Sequence, residues 1–91
     1  MLVKVRSFAC FRNILGKEME VELAEGARVE DLLKALSSLK ANLGTLLFDE
    51  AGLREDVNIF VGGKNIASLE SVRTMLNEGD VVALFPAAIG G

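Results

Sequence analysis

One segment of this 91-residue chain carries a helical repeat, and it constrains the architecture more than any other. Val29, Leu32, Leu33 and Leu36, with Leu39 or Lys40 next, recur at i, i+3, i+4 and i+7 spacing. Glu30 and Asp31 fall in the first turn, where carboxylates meet the positive end of the helix dipole. The predicted helix runs from Val29 to near Lys40, although Arg28 stands where a Ser, Thr or Asp cap would be expected. A helix with one apolar stripe needs a surface to cover. The flanking segments supply it, because their apolar residues alternate.

Leu2 to Phe8 reads as a strand with Val3 and Val5 on one face and Lys4, Arg6 and Phe8 on the other. Ala9 to Leu15 predicts a short helical turn closed by Gly16, and Met19 to Leu23 alternates apolar and acidic residues as a half-exposed strand does. Residues 42–52 contain Leu43, Leu46, Leu47 and Phe48 and fit either a second short helix or an apolar loop. Asp56 to Val61 is a strand by its β-branched content, stopped by Gly62-Gly63, and Lys64 to Ile66 returns from it. A loop over 67–77, with one helical turn, is held down by Leu69, Val72 and Leu76 before the final strand begins at Asp80. The order is strand, strand, helix, strand, short strand, strand. It predicts an α+β domain with one main helix on one face of a mixed sheet of four to five strands.

Composition narrows the chemistry. The formal net charge of −3 gives no basic stripe for a phosphate backbone, so nucleic acid is not an expected partner. Cys10 is the single cysteine and histidine is absent, which excludes an intramolecular disulfide, a zinc site of the usual ligands and a Cys-His or Ser-His catalytic pair. Cys10 itself reads as a small buried hydrophobe. Lys4 and Arg6 interrupt the opening apolar run, and no long apolar span follows, so no membrane association is expected and the reading is a soluble, cytoplasmic protein.

The remaining chemistry gathers at the C-terminus. The strand-like run Val81 to Phe85 stops at Pro86, which lacks a backbone donor, and Ala87, Ala88, Ile89, Gly90 and Gly91 follow. Residues 1–86 are therefore expected to form the domain and residues 87–91 a flexible tail. Five residues reach about 17 Å when extended, enough to enter a partner's cleft. Gly90 and Gly91 leave the terminal carboxylate sterically bare.

Taken together, these residues resemble a known family. Ile59-Phe60-Val61-Gly62-Gly63-Lys64-Asn65-Ile66 is similar to the third and fourth strands of ubiquitin-like β-grasp domains. Asp56-Val57-Asn58, Gly79 to Ala83, Phe85-Pro86 and Gly90-Gly91, with Phe8-Ala9 and Phe11-Arg12, resemble the ubiquitin-like sulfur carriers of the MoaD/ThiS class, in particular the small subunit of molybdopterin synthase. The likeness covers nearly the whole chain. It departs after Pro86, where many members carry a second proline and then a valine and this chain has Ala87 and Ala88.

The resemblance implies a carrier rather than an enzyme, with a β-grasp fold and no bound cofactor or metal. An E1-like enzyme would use ATP to adenylate Gly91, and a sulfur donor protein would displace AMP to leave a thiocarboxylate. Gly90 would permit close approach of the enclosing backbone, while Pro86, Ala87, Ala88 and Ile89 thread the partner cleft. In molybdopterin synthesis the large synthase subunit would supply the catalytic side chains. Alternation adds a predicted partner face: Phe8, Phe60 and Phe85 point away from the helix with Ala83 between them, flanked by Arg12 and Lys4. The same activated terminus serves other ends, which stay open here: a protein modifier joined to target lysines, a carrier for thiamine or tRNA thiolation, or a non-covalent ubiquitin-like module.

Overall fold

The computed structural model describes residues 1–86. In chain order the elements are β1 (Leu2–Ser7), α1 (Cys10–Leu15), β2 (Glu18–Glu22), α2 (Val29–Leu39), α3 (Leu43–Leu47), β3 (Phe48–Asp49), β4 (Gly52–Leu53), β5 (Val57–Val61), β6 (Lys64–Asn65) and β7 (Val81–Pro86). Two 3-10 turns, Ile66–Ser68 and Ser71–Arg73, lie between β6 and β7. The main sheet has the order β2-β1-β7-β5-β6, with β1 and β7 parallel and the other neighbours antiparallel. This is the α+β β-grasp architecture expected from the element order.

Alternation decides the two sides of that sheet. Val3 and Val5 of β1, Val57 and Ile59 of β5, and Val82 and Leu84 of β7 face inward and are buried. They meet Val29, Leu32, Leu33 and Leu36 of α2, all with no exposed surface. An isolated helix of eleven residues is marginal in water. Its stability comes from this stripe, at roughly 1.5–3 kcal/mol for each fully buried aliphatic side chain.

The start of α2 corrects one expectation. Arg28 has no side-chain acceptor, yet the helix is capped from within, because the Asp31 carboxylate accepts the Arg28 backbone N–H at 2.8 Å. The stretch left open as helix or loop is a short helix, α3, followed by the two-stranded hairpin β3–β4; Leu43 and Leu47 of α3 are fully buried. In the 67–77 loop, Leu76 is buried and Val72 packs on the core, but Leu69 is exposed and holds nothing down. Ile66 opens the first 3-10 turn instead of extending β6.

A second correction concerns the end of β1. Phe8 lies one residue beyond the strand, although its N–H still donates to the Leu84 carbonyl at 3.2 Å. Ala9 then takes φ 52 and ψ −127, the first central position of a type II′ turn, and the Phe11 N–H closes that turn onto the Phe8 carbonyl at 3.1 Å. Glycine usually fills this position, and alanine there is strained. Two residues before it, Ser7 is buried, and its Oγ has no hydrogen-bond partner among the described residues. Two local costs therefore sit side by side where β1 turns into α1.

Candidate functional site: an aromatic groove at the base of the terminal segment

The outer face of the sheet is built by the same alternation that fills the core. In the β1/β7 register Arg6 stands beside Ala83, and in the β5/β7 register Phe60 stands beside Ala83 and Asn58 beside Phe85. Each of these side chains thus faces away from α2. Phe8 and Phe85 stack with ring centroids 4.2 Å apart and planes 8° from parallel, and Phe60 meets the Phe85 ring edge-on at 5.5 Å. The three rings and Ala83 form one continuous apolar surface, as expected. They are half-buried rather than fully exposed, because the rings cover one another.

Around them lies an open groove of about 630 Å³. Arg6, Asn58, Gly63, Val81 and Pro86 complete its lining with the three rings and Ala83. Asn58, Val81 and Arg6 were not predicted as site residues, although the signal was present: residues two positions from Phe60, from Ala83 and from Phe8 share their face.

Arg12 reaches this surface from α1. Its Nε–H donates to the Ser7 carbonyl at 3.2 Å, and the guanidinium carbon stands 5.5 Å from the centre of the Phe8 ring. Contacts of this kind between a cation and a ring contribute about 0.5–1 kcal/mol at exposed sites. Lys4 does not flank the patch as a free cation. It and Arg6 converge on Glu18, with Nζ–Oε1 at 3.8 Å and Nε–Oε2 at 3.6 Å. Arg12 makes no ion pair among the described residues.

Pro86 is the residue at which the groove and the terminal segment meet. It closes the β5/β7 ladder opposite Val57, and it lines the groove. One residue before Val57, the Asp56 carboxylate accepts two hydrogen bonds from Arg54, at 2.9 and 3.0 Å, which hold its pKa below the usual carboxylate range. Ala87, Ala88, Ile89, Gly90 and Gly91 lie outside the described residues. Among the described residues no cluster of three or more His, Cys, Asp or Glu is placed to hold a metal ion, and no helix is long and apolar enough to cross a membrane.

Comparison with known proteins places this architecture. Over its whole length the chain is 30% identical to small archaeal modifier protein 3 of Haloferax volcanii, with all of that protein covered as well. The solution structure of small archaeal modifier protein 1 from Methanosarcina acetivorans superposes with a TM-score of 0.86 at 30% identity, covering 99% of this chain and 96% of that one. A Pyrococcus furiosus structure provisionally named molybdopterin converting factor, subunit 1, is 39% identical, with a TM-score of 0.79 and coverage of 97% and 99%. The sequence pattern of the ThiS family runs through residues 5–91, from the middle of β1 to the terminal glycine. With its β-grasp sheet and a match continuous through Gly90-Gly91, the chain belongs to the ThiS family of ubiquitin-like sulfur carriers and modifiers.

Proposed function

We propose that this protein carries sulfur on its C-terminus. An E1-like enzyme adenylates the Gly91 carboxylate, and a sulfur donor protein converts it to a thiocarboxylate that serves the synthesis of molybdopterin. The observation that carries this reading is the family match through Gly91, combined with an aromatic groove whose lining ends at Pro86. A partner that grips the groove sits at the base of the segment it must act on.

The chemistry explains the division of labour. A carboxylate is a poor electrophile, so its oxygen first attacks the α-phosphorus of ATP and expels pyrophosphate. The acyl carbon of the resulting adenylate then accepts sulfide-level sulfur while AMP departs. In this reading ATP belongs to the adenylating enzyme, and the acid–base groups come from partners. In the pterin reaction the large synthase subunit would supply them. Phe8, Phe60, Ala83 and Phe85 form the docking surface, with Arg12 at its rim, and residues 86–91 enter the partner's cleft. The Pyrococcus furiosus relative, at 39% identity, supports the pterin destination.

A second reading has its own support. Two relatives that align end to end or nearly so are named modifier proteins, which favours attachment of Gly91 to lysines of other proteins. Both readings share the adenylate and differ in what attacks it. Intact mass of the protein from its native cells, with a search for Gly-Gly remnants on lysines, tests them together. Sulfur in place of one oxygen at Gly91 is the expected result. Conjugates without thiocarboxylate would establish the modifier, and an unaltered terminus with no conjugates would overturn both.

A further inference from the structure

We infer that Ala9 is a positioning residue: its positive-φ turn is what sets Arg12 over Phe8 at the rim of the groove. The importance of that arrangement rests on reading the groove as the partner surface. The geometry itself does not.

The turn acts through four backbone hydrogen bonds. Phe8 is held to β7 by its N–H on the Leu84 carbonyl, while its own carbonyl receives the Phe11 N–H. The Ala9 carbonyl accepts the Arg12 N–H at 3.0 Å and the Asn13 N–H at 3.3 Å, which starts α1 immediately beside the strand. At φ 52 and ψ −127 the chain reverses within two residues, so that Arg12 comes back alongside β1 and donates Nε–H to the Ser7 carbonyl. With an ordinary negative φ at residue 9 the first turn of α1 would leave in another direction, and Arg12 would lose both Ser7 and the Phe8 ring.

Nothing in the core accounts for the strain. Ala9 is exposed, and its methyl fills no buried space. Phe11 and Leu15 anchor α1 to the core, but they fix where the helix lies and not how abruptly it is entered. Ser7, two residues earlier, is buried with a hydroxyl that has no partner among the described residues, a second local cost within the same three residues. Strain of this kind beside the groove, with no packing gain, points to a geometric role there.

The test compares Ala9→Gly, which accepts positive φ freely, with Ala9→Val, which resists it. In the free full-length protein, NMR reads the upfield ring-current shift that Phe8 imposes on the Arg12 Hδ protons, and core methyl shifts report folding. Ala9→Gly should keep the Arg12 shift. Ala9→Val should lose it while core shifts persist. The inference is overturned if Ala9→Val keeps the Arg12 shift, or if Ala9→Gly loses it with the core intact; should Ala9→Val fail to fold, the glycine variant alone decides.

A second arm measures affinity for the E1-like enzyme. Ala9→Val should bind roughly fivefold more weakly, Ala9→Gly like the wild type, and the deficit should vanish when Arg12 is already alanine. Additive losses would overturn the inference. If the wild type is not adenylated at all, the partner reading of the groove fails, and the NMR arm still decides the role of Ala9.

Discussion

The two faces of the central sheet are made by the same three strands and follow opposite rules. Inward, β1, β5 and β7 present Val and Ile or Leu side chains with almost no exposed surface, locked against α2. Outward they present Phe60, Ala83 and Phe85, joined by Phe8 just past the end of β1, all half-buried and packed mainly on one another. Aliphatic side chains fill a core closely and gain the most from leaving water. Aromatic rings keep a large flat area available at little cost in conformational entropy, which suits a surface that meets another protein. One face is optimised for folding, and the other gives up part of that stability for contact.

The largest expected effect tests this contrast at adjacent residues. Leu84→Ala removes a side chain with no exposure and should cost about 2–5 kcal/mol in urea unfolding. Phe85→Ala, the next residue on the opposite face, should cost about 1 kcal/mol, mostly from lost ring contacts. Equal losses would abolish the distinction between the faces. Phe85→Asp sharpens it from the other side: the domain should stay folded by circular dichroism, while affinity for the adenylating enzyme falls by about tenfold or more in titration calorimetry. Unfolding of this variant would show that the ring belongs to the core.

Ser7 probes the boundary between the two rules. Its hydroxyl is buried on the inner side of β1 without a partner among the described residues, so Ser7→Ala should raise stability by about 1 kcal/mol and Tm by about 4–8 °C. A fall in Tm would mean that the hydroxyl is satisfied. The smallest effect lies off both faces. Arg54 lowers the pKa of exposed Asp56, so the pair's contribution is present above the unfolded-state value of 3.8 and is lost as pH falls through the lower folded-state value. The stability difference between wild type and Asp56→Asn should be slight at neutral pH and vanish in acid. An NMR titration midpoint for Asp56 at or above 3.8 would contradict the pairing.

Much of this was readable in the residues, for identifiable reasons. Period-two alternation in β1, β5 and β7 reports a sheet covered on one side, and it alone places the three rings outward. The repeat in α2 marked its buried stripe from Val29 to Leu36, but Leu39, expected next on that stripe, is exposed at the end of the helix, and Lys40 is exposed just beyond it. What escaped reading depended on pairings between residues rather than on pattern. Asp31 caps its helix by reaching back to the Arg28 backbone, which no search for a capping side chain at position 28 detects. A type II′ turn is announced by glycine, and the alanine at position 9 hides it. Leu69 belongs by type to the core but follows a 3-10 turn that leaves it in solvent. The α3 and β3–β4 stretch is too short for either period to be expressed.

The place of β7 in the sheet has a consequence for how the molecule comes into being. It is the final strand in chain order and the middle strand in space, pairing Val81 with Lys4 across most of the chain and Val82 with Val61 on its other side. A nascent chain that stops before Val81 has β1 and β5 with bare edges and a core lacking Val82 and Leu84. Such a fragment is a substrate for proteolysis and aggregation. Contacts so distant along the chain also make for slow folding. Synthesis must therefore pass residue 86 before the domain can close, so a closed domain certifies that its chain was translated to within a few residues of Gly91.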